Sequence, residues 1–343
     1  MTIKDIARLS GYGVGTVSRV LNHHPDVSDA ARERVMAVVR QYGFEPNSNA
    51  RHLKSQTLSS VTVLVKGTQN MLFADLLERV QSLLLDSGEE VFVAYLDEDA
   101  DEVTYAIQLC RLRRPKGLIF LGGDLELFRS RFDQITVPSV LLTNNAAQLG
   151  FANLSSFTTD DSAAAACVVD YLVSRGHTRI GLLGGNLSSE QISYRRIHGA
   201  CEAMQRHGLT LPLETQYEPC RFSLPDGYAA AKRLLQRQPD LTAIFCMGDV
   251  IASGAMRAVR DLGLRVPEDV SLIGYDGILW ARYSVPRLTT VRQNTEQLAA
   301  RGVSTLLKSL HYDIAPVHEI IPFQLLEQES VLALNGPHLP QKG

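Results

Sequence analysis

The strongest constraint on the fold is an alternation of unbroken apolar stretches with helical ones, run through twice. The first run holds Val61-Thr-Val-Leu-Val65, a helical stretch with Leu72, Leu76, Val80 and Leu84 on one face, then Val91-Phe-Val-Ala-Tyr95. It continues with a helix around Tyr105 to Leu112, Gly117-Leu-Ile-Phe-Leu121 and Ser139-Val-Leu-Leu142. The second run restarts at Arg179-Ile-Gly-Leu-Leu-Gly-Gly185 and proceeds through 217–222, Ala243-Ile-Phe-Cys-Met247 and Val270-Ser-Leu-Ile-Gly-Tyr275. Strands that are apolar throughout and separated by helices imply a parallel sheet covered on both faces. Two runs imply two α/β subdomains, each with its own doubly wound sheet, with a break at 158–161. A chain of 343 residues, 45% hydrophobic, is long enough for more than one core. Five cysteines (110, 167, 201, 220, 246) form no Cys-x-x-Cys pair, so neither zinc nor a disulfide framework is expected, and most read as small buried apolar residues. A charged and apolar leader is absent, as is an apolar run of membrane-spanning length, so the expected location is the cytoplasm and no membrane partner is expected.

The first sixty residues follow a different rhythm. Thr2 lies three residues before Asp5 as an approximate capping box, and Ile3, Ile6 and Leu9 share a helical face. Gly11 permits a tight turn. Val14, Val17 and Leu21 then mark a second short helix, leaving Thr16, Ser18, Arg19 and Asn22 on or near its polar side. A third helix starts at the N-cap Ser28, carries Ala31, Val35, Val38 and Tyr42 as an apolar stripe, and stops at Gly43 and Pro46. Two short helices joined by a glycine turn have the sequence form of a helix-turn-helix, whose second helix enters the DNA major groove. Arginine, hydroxyl and amide side chains there suit bases and phosphates. The same spacing also fits a plain helical lobe with solvated charges. Residues 1–60 hold eight Lys/Arg against five Asp/Glu, a balance of +3. The whole chain carries −3, so the remainder carries −6. A basic head on an acidic body fits a nucleic-acid module.

These motifs resemble the head of the LacI/GalR family of bacterial transcription regulators: Thr2-Ile-Lys-Asp-Ile-Ala7, Gly11, Thr16-Val-Ser-Arg-Val-Leu-Asn22, Val27-Ser28, Arg32-Glu-Arg-Val35, Tyr42-Gly-Phe44, Pro46-Asn47 and Ala50-Arg-His-Leu53. The similarity runs on to about residue 330. It implies a small all-α helix-turn-helix head (1–46), a hinge segment (47–59) that folds on DNA, and a periplasmic-binding-protein-like α/β body (60–335) of two doubly wound parallel-sheet subdomains. A tail (336–343) without heptads follows, so a dimer is expected rather than a coiled-coil tetramer. The first lobe is expected at 60–158 and 291–321, the second at 159–288 and 323–335. The implied function is that of a repressor whose grip on a near-palindromic operator is set by a small effector, a carbohydrate in class, bound between the lobes of a homodimer. No cofactor or metal is implied. Val14, Thr16, Ser18, Arg19, Asn22, Asn47, Ala50, Arg51, Leu53 and Lys54 take the DNA-contacting positions. Leu53 matches a wedge that enters the minor groove and bends the duplex.

In open α/β sheets ligands bind past the carboxyl ends of the strands. Residues there, together with matches to family segments, nominate Asn70, Phe73, Asn144, Glu190, Arg196, Phe222, Asp249, Asp276 and Gln293. Aromatic faces, a cation, carboxylates and amides suit a polyhydroxylated ring. Phe73 fits the core equally well, Asp249 equally well caps the following helix, and Glu190 reads as readily as a solvated loop carboxylate. Three positions depart from the family pattern. Gly13 replaces a common capping serine, Gly15 stands where a base-reading side chain is usual, and Gly277 replaces a second acidic or amide residue. An enzyme is a poorer reading, because neither a Walker-type lysine, a Gly-x-Ser-x-Gly elbow nor a His-Glu-x-x-His pair occurs. A sugar-binding protein without regulation leaves the head without a role.

Overall fold

Apolar side chains repeating every three or four residues give the first 42 residues three helices: α1 (Ile3–Ser10), α2 (Val14–Leu21) and α3 (Asp29–Gln41). The computed structural model describes residues 3–21, 27–42, 60–67, 69–188 and 191–334, within two units, Met1–Ser59 and Ser60–Gly343. Gly11 takes a left-handed φ of 76° between α1 and α2, and Ser28 caps α3 by accepting from the Ala31 amide. The small core joins Ile6, Ala7, Val17, Val20, Val35 and Val38. The inward faces differ from the sequence expectation at three places. Leu9, Val14 and Tyr42 are exposed, while Ala7, Ser10 and Val20 turn inward. Val14 opens its helix and Tyr42 follows the last turn of α3, so neither has a facing helix to cover it. The hinge 47–59, the tail 336–343 and the capping residue Thr2 lie outside the described residues.

The second unit confirms the two parallel sheets. The first holds β1 (Val61–Lys66), β2 (Val91–Leu96), β3 (Gly117–Leu121), β4 (Ser139–Leu142), β5 (Leu154–Thr158) and β11 (His318–Ile320), in the order β2-β1-β3-β4-β5-β11. The second holds β6 (Ile180–Leu183), β7 (Tyr217–Glu218), β8 (Ala243–Cys246), β9 (Ser271–Asp276), β10 (Thr289–Arg292) and β12 (Gln324–Leu326), in the order β7-β6-β8-β9-β10-β12. Neighbours are parallel except β10 with β12. Both orders reverse direction at the first strand, which is the topological switch point where such sheets bind ligands.

Helices cover both faces: α4 (Met71–Asp86), α5 (Glu102–Arg113) and α6 (Leu125–Arg131) on the first lobe, and α7 (Asp161–Ser174), α8 (Ile192–Arg206), α9 (Leu213–Gln216), α10 (Leu224–Arg237) and α11 (Asp249–Asp261) on the second. The last helix, α12 (Thr295–His311), returns to the first lobe, where Leu298, Ala299, Val303 and Leu306 enter its core. Leu72, Leu76, Val80 and Leu84 of α4 are buried as their spacing requires.

The chain crosses between lobes at 158–161, 292–295 and 320–324. The second crossing corrects the sequence boundary. Val291 and Arg292 pair with Tyr275 and Asp276 of β9, so they belong to the second lobe and the first resumes after them. Strand β7 is also shorter than expected, because after Glu218 the chain makes a single bridge at Cys220 and turns toward the cleft. Of the five cysteines, Cys246 is fully buried and the other four are partly exposed, fewer buried than the sequence suggested. Among the described residues no helix is long and apolar enough to cross a membrane.

Candidate functional site

In the head, the exposed side of α2 carries Val14, Gly15 and Arg19, with Thr16 and Ser18 half-buried beside them. The Gly13 carbonyl accepts from the amides of Thr16 (2.9 Å) and Val17 (3.1 Å), so glycine still starts the helix without a capping hydroxyl. A Cβ on Gly15 would meet nothing within 4 Å among the described residues, so the surface there is bare backbone. Asn22, Asn47, Ala50, Arg51, Leu53 and Lys54 lie outside the described residues.

In the body, a cavity opens between the two lobes past the carboxyl ends of their strands. Its non-atom space, open mouth included, is about 970 Å³. The end of β1 supplies Lys66 and the start of α4 supplies Asn70 and Phe73. Asn70 caps α4 through Oδ1, which accepts from the Leu72 amide at 3.1 Å. Phe73 lies against Gly122, where a Cβ would come 2.8 Å from the ring. Gly122 has a φ of 79°, and its lack of a side chain is what admits the aromatic face.

Beyond β4, Thr143 holds a left-handed φ of 75°, and its buried hydroxyl has no partner among the described residues. Thr143 and Asn144 both line the cavity. The Asn144 amide is engaged on both sides, donating to the Gly123 carbonyl and accepting from the Asn145 amide. Lys66 Nζ contacts Glu102 Oε2 at 2.5 Å, and Glu102 Oε1 accepts from the Asp124 amide at 2.6 Å. Burial pushes the Glu102 carboxyl above the usual range, although Lys66 and two backbone amides oppose it.

The second lobe supplies Asn186, Gln191, Ser193 and the turn Arg221-Phe222-Ser223. Two links cross the cleft. Arg221 Nη2 meets Asp97 at 2.6 Å and Asp99 at 3.5 Å, while the Phe222 amide donates to Glu98 Oε2 at 3.1 Å. On the other rim Gln191 Nε2 donates to Asp124 Oδ2 at 2.6 Å. Burial raises the Glu98 carboxyl, opposed by the Phe222 amide and the Arg221 charge.

Arg196, Asp276 and Gln293 sit one layer beneath this wall, nearly without solvent contact. Arg196 Nε donates to Asp161 Oδ1 at 2.7 Å and Nη1 to the Met247 carbonyl at 2.5 Å, with its guanidinium 3.6 Å over the Tyr275 ring. Asp276 ends β9 with a φ of 114° and lies with Phe222 against Gly248. Burial pushes its carboxyl up to about 7, against the pull of Arg196 and of the Gln293 hydrogen bond.

Asp249 neither lines the cavity nor caps α11 with its side chain. It accepts from the Thr290 hydroxyl (2.6 Å) and the Ile278 amide (2.8 Å), holding the turn that follows β9. Gly277, in that turn, has a φ of 72° and leaves no room for a Cβ beside Arg292 at 2.6 Å, so no side chain reaches the cleft from there.

The structure thus brings Asn70, Phe73, Asn144 and Phe222 to the cavity, sets Arg196, Asp276 and Gln293 behind it, and removes Asp249 from it. Glu190 lies outside the described residues. Sequence reasoning passed over Lys66, Asp97, Glu98 and Arg221. Lys66 ends β1, and Asp97 and Glu98 directly follow β2, so the strand-end rule that found Asn144 reaches them too.

Comparison with known proteins accords with this geometry. Residues 2–47 match the bacterial regulatory proteins of the lacI family, and residues 169–331 match the periplasmic binding protein-like domain. The HTH-type transcriptional regulator MalR of Clostridium butyricum is 34% identical over 96% of this chain and 99% of its own length. The transcriptional regulator CelR in complex with cellobiose superposes with a TM-score of 0.69 at 26% identity, over 96% of this chain and 99% of that one. The Lac repressor dimer bound to operator and the anti-inducer ONPF gives 0.72 at 25% identity, over 97% and 99%. The helical head, the twin parallel sheets and the full-length relationship to MalR establish that the chain belongs to the lacI family of bacterial regulatory proteins.

Proposed function

We propose that the chain is a transcriptional repressor which binds a near-palindromic duplex operator as a homodimer, and that a carbohydrate held between the lobes controls that binding. The observation that carries this reading is the cavity, walled by polar and aromatic side chains from both lobes and bridged at its rims by Arg221 and Gln191. A ligand touching both lobes favours one lobe arrangement over another, which is the requirement for coupling. CelR with cellobiose and the Lac repressor with operator support the same pairing of effector and DNA here.

Val14, Thr16, Ser18, Arg19 and Asn22 read the operator. The hinge 47–59 folds on DNA, with Asn47, Ala50, Arg51 and Lys54 at the backbone and Leu53 as the minor-groove wedge. Asn70, Phe73, Asn144 and Phe222 meet the effector directly, joined by Glu190. Arg196, Asp276 and Gln293 support the site, and Asp249 fixes the turn beside it. The protein acts by binding rather than catalysis, in the cytoplasm where operator DNA is found. Lobe closure repositions the paired first lobes and so decides whether the hinge segments fold on DNA.

Gel shift of the full chain with a duplex selected from a random pool, titrated with neutral mono- and disaccharides, tests this. One of them is expected to change operator affinity by about 5–150-fold. Duplex binding that no sugar alters, or no duplex binding at all, overturns the reading.

A further inference from the structure

We propose that the cleft accepts an uncharged, hydroxyl-rich effector and rejects one bearing a phosphate or carboxylate group. This deepens the cleft reading above and rests on it. Among the described residues, the two cations on the cavity wall are already committed. Lys66 is held by Glu102 at 2.5 Å with its side chain 12% exposed, and Arg221 is gathered by Asp97, Asp99 and Glu98 within 3.7 Å. What remains facing an incoming ligand is carboxylate and neutral polar groups. Glu98 is half withdrawn from water, and burial already disfavours its charge. An added anion nearby raises that cost, because like charges repel strongly where water is excluded.

Asp97 and Asp226 line the cavity beside Glu98, and Asp276 lies behind Phe222 as a further acidic group. Helix starts favour anions, yet two of those on this wall are already capped: Asn70 accepts from the Leu72 amide and Ser223 from the Asp226 amide. Helix α8 has no side-chain cap bond at Gln191, but its partial dipole charge of about +0.5 already faces the Asp124 carboxylate, which accepts from Gln191 Nε2 at 2.6 Å. The Thr143 hydroxyl, which has no partner among the described residues, suits sugar hydroxyls, which donate and accept at once.

Calorimetry on the full chain tests this with matched probes: ribose against ribose 5-phosphate, glucose against glucose 6-phosphate and glucuronate, and cellobiose against cellobionate. A neutral O-methyl glucose controls for size. Each neutral sugar that binds is expected to lose at least 100-fold in affinity on acquiring the anionic group, and much less on O-methylation. The gap is expected to narrow to tenfold or less in Glu98→Gln, and to shrink in the wild type as salt is raised. A charged form that binds as tightly as its neutral partner overturns the proposal while leaving the cleft as the sugar site. An equal loss on O-methylation, or a gap indifferent to salt, also overturns it, since size and not charge is then the barrier. Binding by none of the neutral sugars overturns this proposal and the sugar reading together.

Discussion

Gln293 donates from Nε2 to Asp276 Oδ1 at 2.9 Å, joining the residue that follows β10 to the end of β9 beside the second lobe crossing. Its Oε1 accepts from the Thr159 hydroxyl at 3.1 Å, which adds the first crossing to the same link. Two of the three strands of chain between the lobes are thus held by one buried amide, 3% exposed.

Gln293→Ala leaves the buried Thr159 hydroxyl and one Asp276 oxygen without this partner. Orphaning buried polar groups costs about 1–3 kcal/mol. Urea denaturation is expected to show a loss in that range. A change below about 0.5 kcal/mol, within the noise of a surface substitution, would show that the bridge contributes nothing to stability.

Arg196 presents a larger case, because its ion pair with Asp161 is buried on both sides. Removing one member of such a pair costs about 3–5 kcal/mol, since the other is left charged in a dry site. Arg196→Met is therefore expected to lower the denaturation midpoint sharply. Arg196→Lys should recover less than half of the loss, as lysine can neither span Asp161 and the Met247 carbonyl nor stack flat on Tyr275. Full rescue by lysine would leave charge alone as the requirement.

The sheets were legible because parallel strands buried on both faces leave unbroken apolar runs, as in Gly117-Leu-Ile-Phe-Leu121. Strand β5 was not, because Ser155 and Ser156 interrupt its pattern. Both serines are buried all the same, satisfied by the Val317 amide and by the Ala146 amide with His318. Val317 and His318 are distant in sequence, so no local reading finds them. At the cleft, strand ends pointed to Asn144, yet which ends form wall and which form support depends on depth. Asp249 and Asp276 both sit at carboxyl ends of the second sheet, and their different surroundings come from Thr290 on β10 and Gln293 just after it, brought in later in the chain.

Asp276 makes stability depend on pH in a defined direction. Its carboxyl, 3.8 in the ordinary case, is pushed up to about 7 in the fold. Between those values the folded protein keeps a proton that the unfolded chain has released, so stability from this group falls as pH rises from about 4 to 7. Asp276→Asn removes the group. The stability of the variant relative to wild type is expected to rise between pH 5 and pH 8, read from urea midpoints at both. A difference that stays constant with pH would place the buried carboxyl near its ordinary value.

Gly199 lets α7 and α8 meet. A Cβ there would fall 2.7 Å from Ser162 Cα and 2.8 Å from its carbonyl carbon, both backbone atoms that cannot turn aside. Gly199→Ala is expected to destabilise by about 1–3 kcal/mol through overpacking, despite the better helix propensity of alanine. A variant that melts with or above the wild type would mean that the two helices have room to separate.

Gly15 inverts that argument. It lies in the first turn of α2, exposed, with nothing within 4 Å of its Cβ position among the described residues. Alanine there should meet no clash within the head and should gain roughly 0.5 kcal/mol of helix stability. If the bare backbone at Gly15 is what lets α2 approach the bases, the same methyl group intrudes on the DNA face. Gly15→Ala is therefore expected to raise the thermal midpoint of the head while weakening operator binding in a gel shift. Tighter melting with unchanged binding would place Gly15 away from the duplex, and would leave Val14 and Arg19 to carry base discrimination from the remainder of the exposed face.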